Sequence, residues 1–178
     1  GYKIADEVRK NLITLWNTYS FFITYAKLDG FNPYSSSIEE CTLTDIDEWI
    51  LAKMNNFIKE SKFFYEHFEL YKLMKISSEI LDDISNWYVR RNRRRFWKSE
   101  NDDDKLSAYH TLYVTLLNYI KIMSPVIPFI SDKIYQNLVC EITDKHPKSI
   151  HLADFPKYNE KLANQDLIQD IDTVKNIV

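Results

Sequence analysis

Apolar residues recur along this chain at intervals of three and four, the spacing of one face of an α-helix. Ile4, Val8, Leu12, Leu15, Tyr19, Phe22 and Ala26 predict a first helix of about 24 residues. It stops near Asp29-Gly30, and Asn32-Pro33 with Ser35-Ser36-Ser37 predicts a loop. Thr44 or Asp45 can cap a second helix, each with an acid three residues on (Asp47, Glu48), and Ile46, Trp49, Lys53, Phe57, Ser61 and Phe64 supply most of its buried stripe. A third runs from near Glu69 with Leu70, Leu73, Ser77, Ile80, Ile84 and Trp87 on one face. After the acidic loop Glu100 to Asp104, a fourth carries Leu106, Tyr109, Tyr113, Leu116, Ile120 and Met123. Ser124-Pro125 ends it, and Pro128 suits the first turn of a fifth, with Ile127, Ile130, Ile134 and Leu138. Ser149-Ile150-His151-Leu152, between Pro147 and Pro156, reads as an extended segment, and a last amphipathic stretch covers Leu167 to Val178. The fold class is all-α: a bundle of about five long helices over 1–145. Residues 146–178 form a small C-terminal appendage, the extended segment followed by the start of a helix that reaches Val178 without a cap.

Composition narrows the chemistry. Hydrophobic residues make up 45% and charged residues 28%, which excludes a disordered chain. No apolar run reaches the roughly 18–20 residues that span a bilayer, so no membrane partner is expected. Gly1 and Gly30 are the only glycines, which leaves nothing to build a phosphate-cradling loop or a dinucleotide fingerprint. Paired metal ligands on a bundle helix take the form Glu-x-x-His, yet Phe64, Ser107, Thr143 and Lys148 stand three positions before the four histidines. Cys41 and Cys140 lack zinc spacing and read as reduced, intracellular thiols. No Gly-x-Ser-x-Gly elbow is present. The expectation is a chain with no catalytic residue, metal or cofactor of its own. It opens Gly1-Tyr2-Lys3, with neither an initiator methionine nor a signal-peptide pattern, and reads as a piece of a longer cytoplasmic protein.

Charge is the informative feature. Five of the six arginines lie between Arg90 and Arg95, and Arg90 to Lys98 carries six positive charges and no negative one. With a net charge of −3 overall, the remainder is at −9, an acidic body with one dense basic segment. Along NWYVRRNRRRFW, residues 86–97, Val89, Asn92 and Phe96 share one side of a helix while the arginines cover the remaining arc. That suits an anchored helix offering guanidinium groups to phosphates, with Arg90, Arg93, Arg94 and Lys98 as the candidate contacts. The stripe of the third helix, carried forward unbroken, passes instead through Arg91 and Arg95. Either the helix kinks near Asn86 to Tyr88, or those two arginines turn inward and pair with acids. Trp87 and Trp97 read as packing residues ahead of base-stacking platforms.

The same stretch resembles the anticodon-binding helical domain of isoleucyl-tRNA synthetases. Asp47-Glu48-Trp49-Ile50-Leu51 is similar to the family's acid-x-Trp-Ile-Leu helix start. Ser124 to Ile130, followed by Ile134-Tyr135, resembles its Pro-x-x-Pro-Phe turn, and Ser149 to Pro156 its Ser-Val-His-Leu segment. The turn and the helix start are shared with valyl and leucyl relatives. The arginine run with the His-Leu segment favours the isoleucyl enzyme, in particular its eukaryotic-like bacterial branch. Lys133 departs from the acid that relatives commonly carry. The resemblance implies a binding domain of a ligase that joins isoleucine to tRNA(Ile) using ATP and Mg, with Zn a further candidate. The ATP-site signatures, His-x-Gly-His and Lys-Met-Ser-Lys-Ser, do not occur here. Partners implied are tRNA(Ile) and the catalytic and C-terminal domains of the same polypeptide. Two alternatives stand beside it: the equivalent valyl or leucyl domain, and a helical protein-interaction scaffold whose 22 tyrosines and phenylalanines include contact residues.

Overall fold

The computed structural model of the chain describes residues 2–98 and 102–177. Gly1, Ser99, Glu100 and Asn101 at the start of the acidic loop, Val178, and the side chains of Lys3, Ile4, Asn176 and Ile177 lie outside the described residues. Among the described residues there is no strand, and the α-helices are α1 (Tyr2–Leu28), α2 (Asp45–Glu66), α3 (Leu70–Asp82), α4 (Arg90–Trp97), α5 (Asp103–Met123), α6 (Pro128–Tyr135) and α7 (Gln165–Ile177). A π-helical segment, Asp83–Val89, joins α3 to α4, and another, Gln136–Cys140, prolongs α6.

Polar pairs fix the course of the helices. Asn11 of α1 donates to Ser78 Oγ at 2.7 Å, Phe21 meets Phe96, and Asn137 beyond α6 donates to Tyr19. Thus α1, the rod from α3 through α4, and α6 run the same way. Tyr65 near the end of α2 donates to the Ile122 carbonyl near the end of α5 at 2.8 Å, so those two run together. Because Arg95 meets Asp47, α2 and the rod are antiparallel. The result is an up-down-up-down-up bundle. One end gathers the close of α1, the starts of α2 and α5, and α4. The other gathers the close of α2 and the starts of α3 and α6.

The stripes read from the sequence are the core. Leu15, Tyr19, Phe22 and Ala26 of α1, Trp49 and Phe57 of α2, and Leu73, Ile80 and Ile84 of the rod are buried. So are Tyr109, Tyr113, Leu116, Ile120 and Met123 of α5 with Ile134 and Leu138 of the fifth stripe. Val8 and Leu70, at the outer ends of their stripes, are exposed. Thr44 is the residue that caps α2: its amide and hydroxyl reach Asp47 Oδ2 at 3.0 and 2.6 Å.

Residues 149–152 form no extended segment. Ile150–Leu152 is a single 3₁₀ turn. The reason is local: Asp132 on α6 accepts from Ser149 Oγ at 2.8 Å and from the Ile150 amide at 2.9 Å, which winds the chain into a turn and buries Ile150. Asn55 on α2 makes a reciprocal pair with the Asn159 backbone, at 2.9 and 2.8 Å. The appendage is therefore pinned to the bundle from two sides, and Ile150 and Ile168 join its core.

Two helices end in the same motif. After α1, Phe31 N–H reaches the Ala26 carbonyl at 2.8 Å and Gly30 N–H the Lys27 carbonyl at 3.4 Å, with Gly30 at φ 66°. After α2, Glu69 N–H reaches Phe64 at 2.8 Å and Phe68 N–H reaches Tyr65 at 3.3 Å, but the left-handed position holds Phe68, at φ 58°. Its side chain is 89% exposed, so little burial offsets the strain. Replacing Phe68 with Gly is expected to stabilise the domain by about 0.5–1 kcal/mol, net of the extra freedom glycine has when unfolded. The midpoint of a urea melt checks it.

Candidate nucleic-acid interface

The basic segment begins where the helix widens. A π turn holds one residue more than an α turn, so every residue after it is rotated by about 100° from where an unbroken α-helix would put it. Up to Ile84 the inward positions are those of the sequence stripe. Beyond it Tyr88, Val89, Asn92 and Phe96 are buried, and Trp87 is only half-buried. Phe96 is held edge-on by Phe21 and Tyr109, with ring centres 5.3 and 5.1 Å away. Arg91, which the unbroken-helix alternative places inward with Arg95, is exposed. The π turn moves it off the stripe, and its guanidinium lies over the Trp87 ring, 3.8 Å from the centroid.

Arg95 does turn inward. Nη1 donates to Asp47 Oδ1 at 2.8 Å and Nη2 to Asp47 Oδ2 at 2.9 Å, a bidentate pair with a carboxylate that is fully buried. Nη2 also reaches Ser107 Oγ and the Asp104 carbonyl, each at 2.8 Å, while Nε lies 2.7 Å from Asp104 Oδ1. Tyr88 adds a third donor to Asp47 at 2.6 Å. Burial alone would raise the Asp47 carboxyl, but hydrogen bonds from Arg95, Thr44 and Tyr88 hold it below the ordinary carboxylate range. Burial and the neighbouring Asp47 charge push the Tyr88 phenol far above its ordinary value. The cap of α2, the rod and the start of α5 thus share one buried network.

With the inward side of α4 fixed by Asn92, Arg95 and Phe96, the other residues must face out. Arg90, Arg91, Arg93 and Arg94 are exposed, and among the described residues none of them forms an ion pair. On a regular helix they span an arc of about 160°. Lys98 differs: its ammonium lies 2.6 Å from Asp104 and 3.4 Å from Asp102, so its charge is already matched. Trp97 is exposed at the end of the helix.

Two partners of the basic segment carried no signal as such. Asp47 reads as a helix cap, which it is, and nothing local marks it as the counter-ion of Arg95. Lys105 follows a run of acids and looks solvated, yet it is 1% exposed, 2.6 Å from Asp29 and 2.7 Å from the Lys98 carbonyl. It anchors the end of α1 to the start of α5 beside the arginines. Among the described residues no group of three His, Cys, Asp or Glu side chains is placed to hold a metal ion. Among the described residues no helix is long and apolar enough to cross a membrane.

A family model described as the anticodon-binding domain of tRNA ligase matches residues 47–178, from the acid of the Arg95 pair to the last residue. The chain belongs to this family. Among curated relatives, the isoleucine–tRNA ligase of Clostridium novyi is 41% identical over 180 residues, covering 98% of this chain and 17% of the relative. That of Clostridium tetani is 40% identical over 180 residues with the same coverage. The isoleucine–tRNA ligase of Bacteroides thetaiotaomicron is 43% identical over 164 residues, covering 91% of this chain and 14% of the relative. The domain spans about a sixth of the length of these relatives, and the arginine helix lies within the part the family model matches.

Proposed function

We propose that this chain is the part of an isoleucine–tRNA ligase that holds the anticodon arm of tRNA(Ile), with Arg90, Arg91, Arg93 and Arg94 set against the RNA backbone. The observation that carries this reading is the two-sided construction of α4: four exposed guanidiniums outside that form no ion pair among the described residues, and a locked anchor of Asn92, Arg95 and Phe96 inside. Exposed arginines held on a rigid helix bind phosphate without first being released from a carboxylate or ordered from a loop. Lys98, matched by Asp104 and Asp102, is a secondary contact. Trp87 serves as the platform that stiffens Arg91. The similarity to isoleucine–tRNA ligases favours the isoleucyl reading over the valyl or leucyl one. Residues 1–145 are the bundle and 146–178 the segment leading toward the domains that follow. The parent is a cytoplasmic enzyme that attaches isoleucine using ATP and Mg. Its ATP site belongs elsewhere in the polypeptide, since two glycines and no phosphate loop do not fit one here.

The test is direct. The purified 178 residues are titrated into a fluorescent 17-nucleotide stem-loop carrying the tRNA(Ile) anticodon, a length of about one tRNA arm, and binding should fall with log salt at a slope of about −3, from four phosphate contacts. The same preparation should catalyse no isoleucine-dependent pyrophosphate exchange. A salt-independent interaction, or none at all, rejects the RNA reading.

A further inference from the structure

The π segment that turns the arginines outward is itself held at both ends. At its far end Tyr88 is tied to Asp47. At its near end stands Asp83, the first residue of the widened turn, 2% exposed and engaged by two lysines from different helices. Lys53 of α2 lies 2.9 Å from Asp83 Oδ2, and Lys175 of α7 contacts Oδ1. Lys53 also reaches Asp172 of α7 at 3.1 Å. Burial opposes the charge on Lys53, and the Asp83 and Asp172 carboxylates more than restore it. This cluster joins α2, the widened turn and α7, and the phosphate-binding reading uses none of it.

The phase of the arginine helix depends on that turn. Were residues 83–89 regular α-helix, the inward stripe Leu73, Ser77, Ile80, Ile84 would continue through Trp87, Arg91 and Arg95. Arg91 would be driven against the core and Asn92 turned out. A widened turn is the less stable form of a helix and persists where its surroundings hold it. Asp83 sits where the phase changes, and a buried carboxylate keeps its position only while its cations keep theirs.

We propose that Asp83 is a positioning residue for the arginine helix, and that docking of α7 through Lys175 holds the turn and so sets which arginines face the RNA. Orientation of the guanidiniums and attachment of the last helix are then one equilibrium, coupled across the width of the bundle. The RNA half of this statement rests on the proposed function; the positioning half does not.

Thiol labelling reads the phase without RNA. Cys41 and Cys140 are replaced by Ser, and single reporters are placed by Arg91→Cys or Asn92→Cys. In the parent the reporter at 91 should react with a maleimide at least about tenfold faster than the one at 92, since only the second is protected. Asp83→Asn and Lys175→Met should each slow the first and speed the second, bringing the rates together, and Lys175→Arg should restore the difference. A structural loss without rotation would accelerate both reporters. Unchanged rates in both folded variants overturn the proposal, as does acceleration of both reporters together. A response confined to Asp83→Asn overturns the coupling to α7, and Lys175→Met serves alone where Asp83→Asn fails to fold. In a parallel titration with the anticodon stem-loop, the two variants should lose affinity and salt dependence together. If the parent binds no RNA while the labelling shifts as described, the RNA reading fails and the positioning role stands.

Discussion

Replacing Arg90, Arg93 and Arg94 together with Gln is expected to weaken binding of an anticodon-arm RNA about 100-fold and leave the melting temperature almost unchanged. The magnitude follows from about 1 kcal/mol for each exposed charge-assisted bond to phosphate, three of them making two factors of ten. Salt dependence is the sharper readout. Every arginine–phosphate pairing that is abolished takes about 0.7–0.9 from the slope of log affinity against log salt, so the triple variant should approach a slope near −1, carried by Arg91. Gln matches Arg closely in helix propensity, and the three side chains are exposed with no ion pair among the described residues, so the fold loses little. The outcome to watch for is unaltered affinity in a folded triple variant; it removes the arginine helix from the binding surface.

Most of the bundle was legible because its helices are amphipathic in the simplest way. Tyr109, Tyr113, Leu116, Ile120 and Met123 repeat at four, three, four and three and are all buried, and Thr44 with Asp47 forms the cap that its spacing announces. Legibility failed where helical periodicity is blind. Trp87 and Tyr88 are adjacent aromatics, and either can serve the inward position, so the pattern cannot tell an inserted residue from an unbroken helix. Two inward arginines were the consequence of the unbroken alternative, and only Arg95 proved inward. Residues 149–152 failed for a different reason: two flanking prolines suggest extended chain, while the decisive partner, Asp132, lies 17 and 18 positions away on another helix. Buried charges are the least legible of all. Asp83 and Lys105 have the composition of a surface, and what makes them interior is a partner supplied by tertiary structure: Lys53 and Lys175 for one, Asp29 for the other.

Arg95 should behave in the opposite way to its neighbours, costing stability far more than affinity. Arg95→Met is expected to destabilise the domain by about 3 kcal/mol, because it leaves the Asp47 carboxylate buried with its main charge partner gone. Asp47→Asn should cost a similar amount by stranding the guanidinium and weakening the α2 cap together. The two residues touch, so the double variant Asp47→Asn/Arg95→Met should be less destabilised than the sum of the singles, and a denaturant-melt cycle measures the coupling. Acidity adds a sign that packing alone does not predict. The Asp47 carboxyl titrates lower in the folded domain than in the unfolded chain, where it has the usual value of about 3.9. Its contribution is therefore fully present above that pH and is lost as pH falls through the lowered folded value. Removing Arg95 takes away the largest of the influences that lower the carboxyl and leaves burial, which raises it. The acid-unfolding midpoint of Arg95→Met should accordingly move to higher pH than in the parent, and by more than in a variant equally destabilised at neutral pH, such as one with a core leucine truncated. Equal midpoints in those two variants would show that Arg95 acts through packing and that its charge does not hold the Asp47 carboxylate. RNA affinity, measured well below the melting transition, should stay within about threefold of the parent, since the outward guanidiniums remain in place.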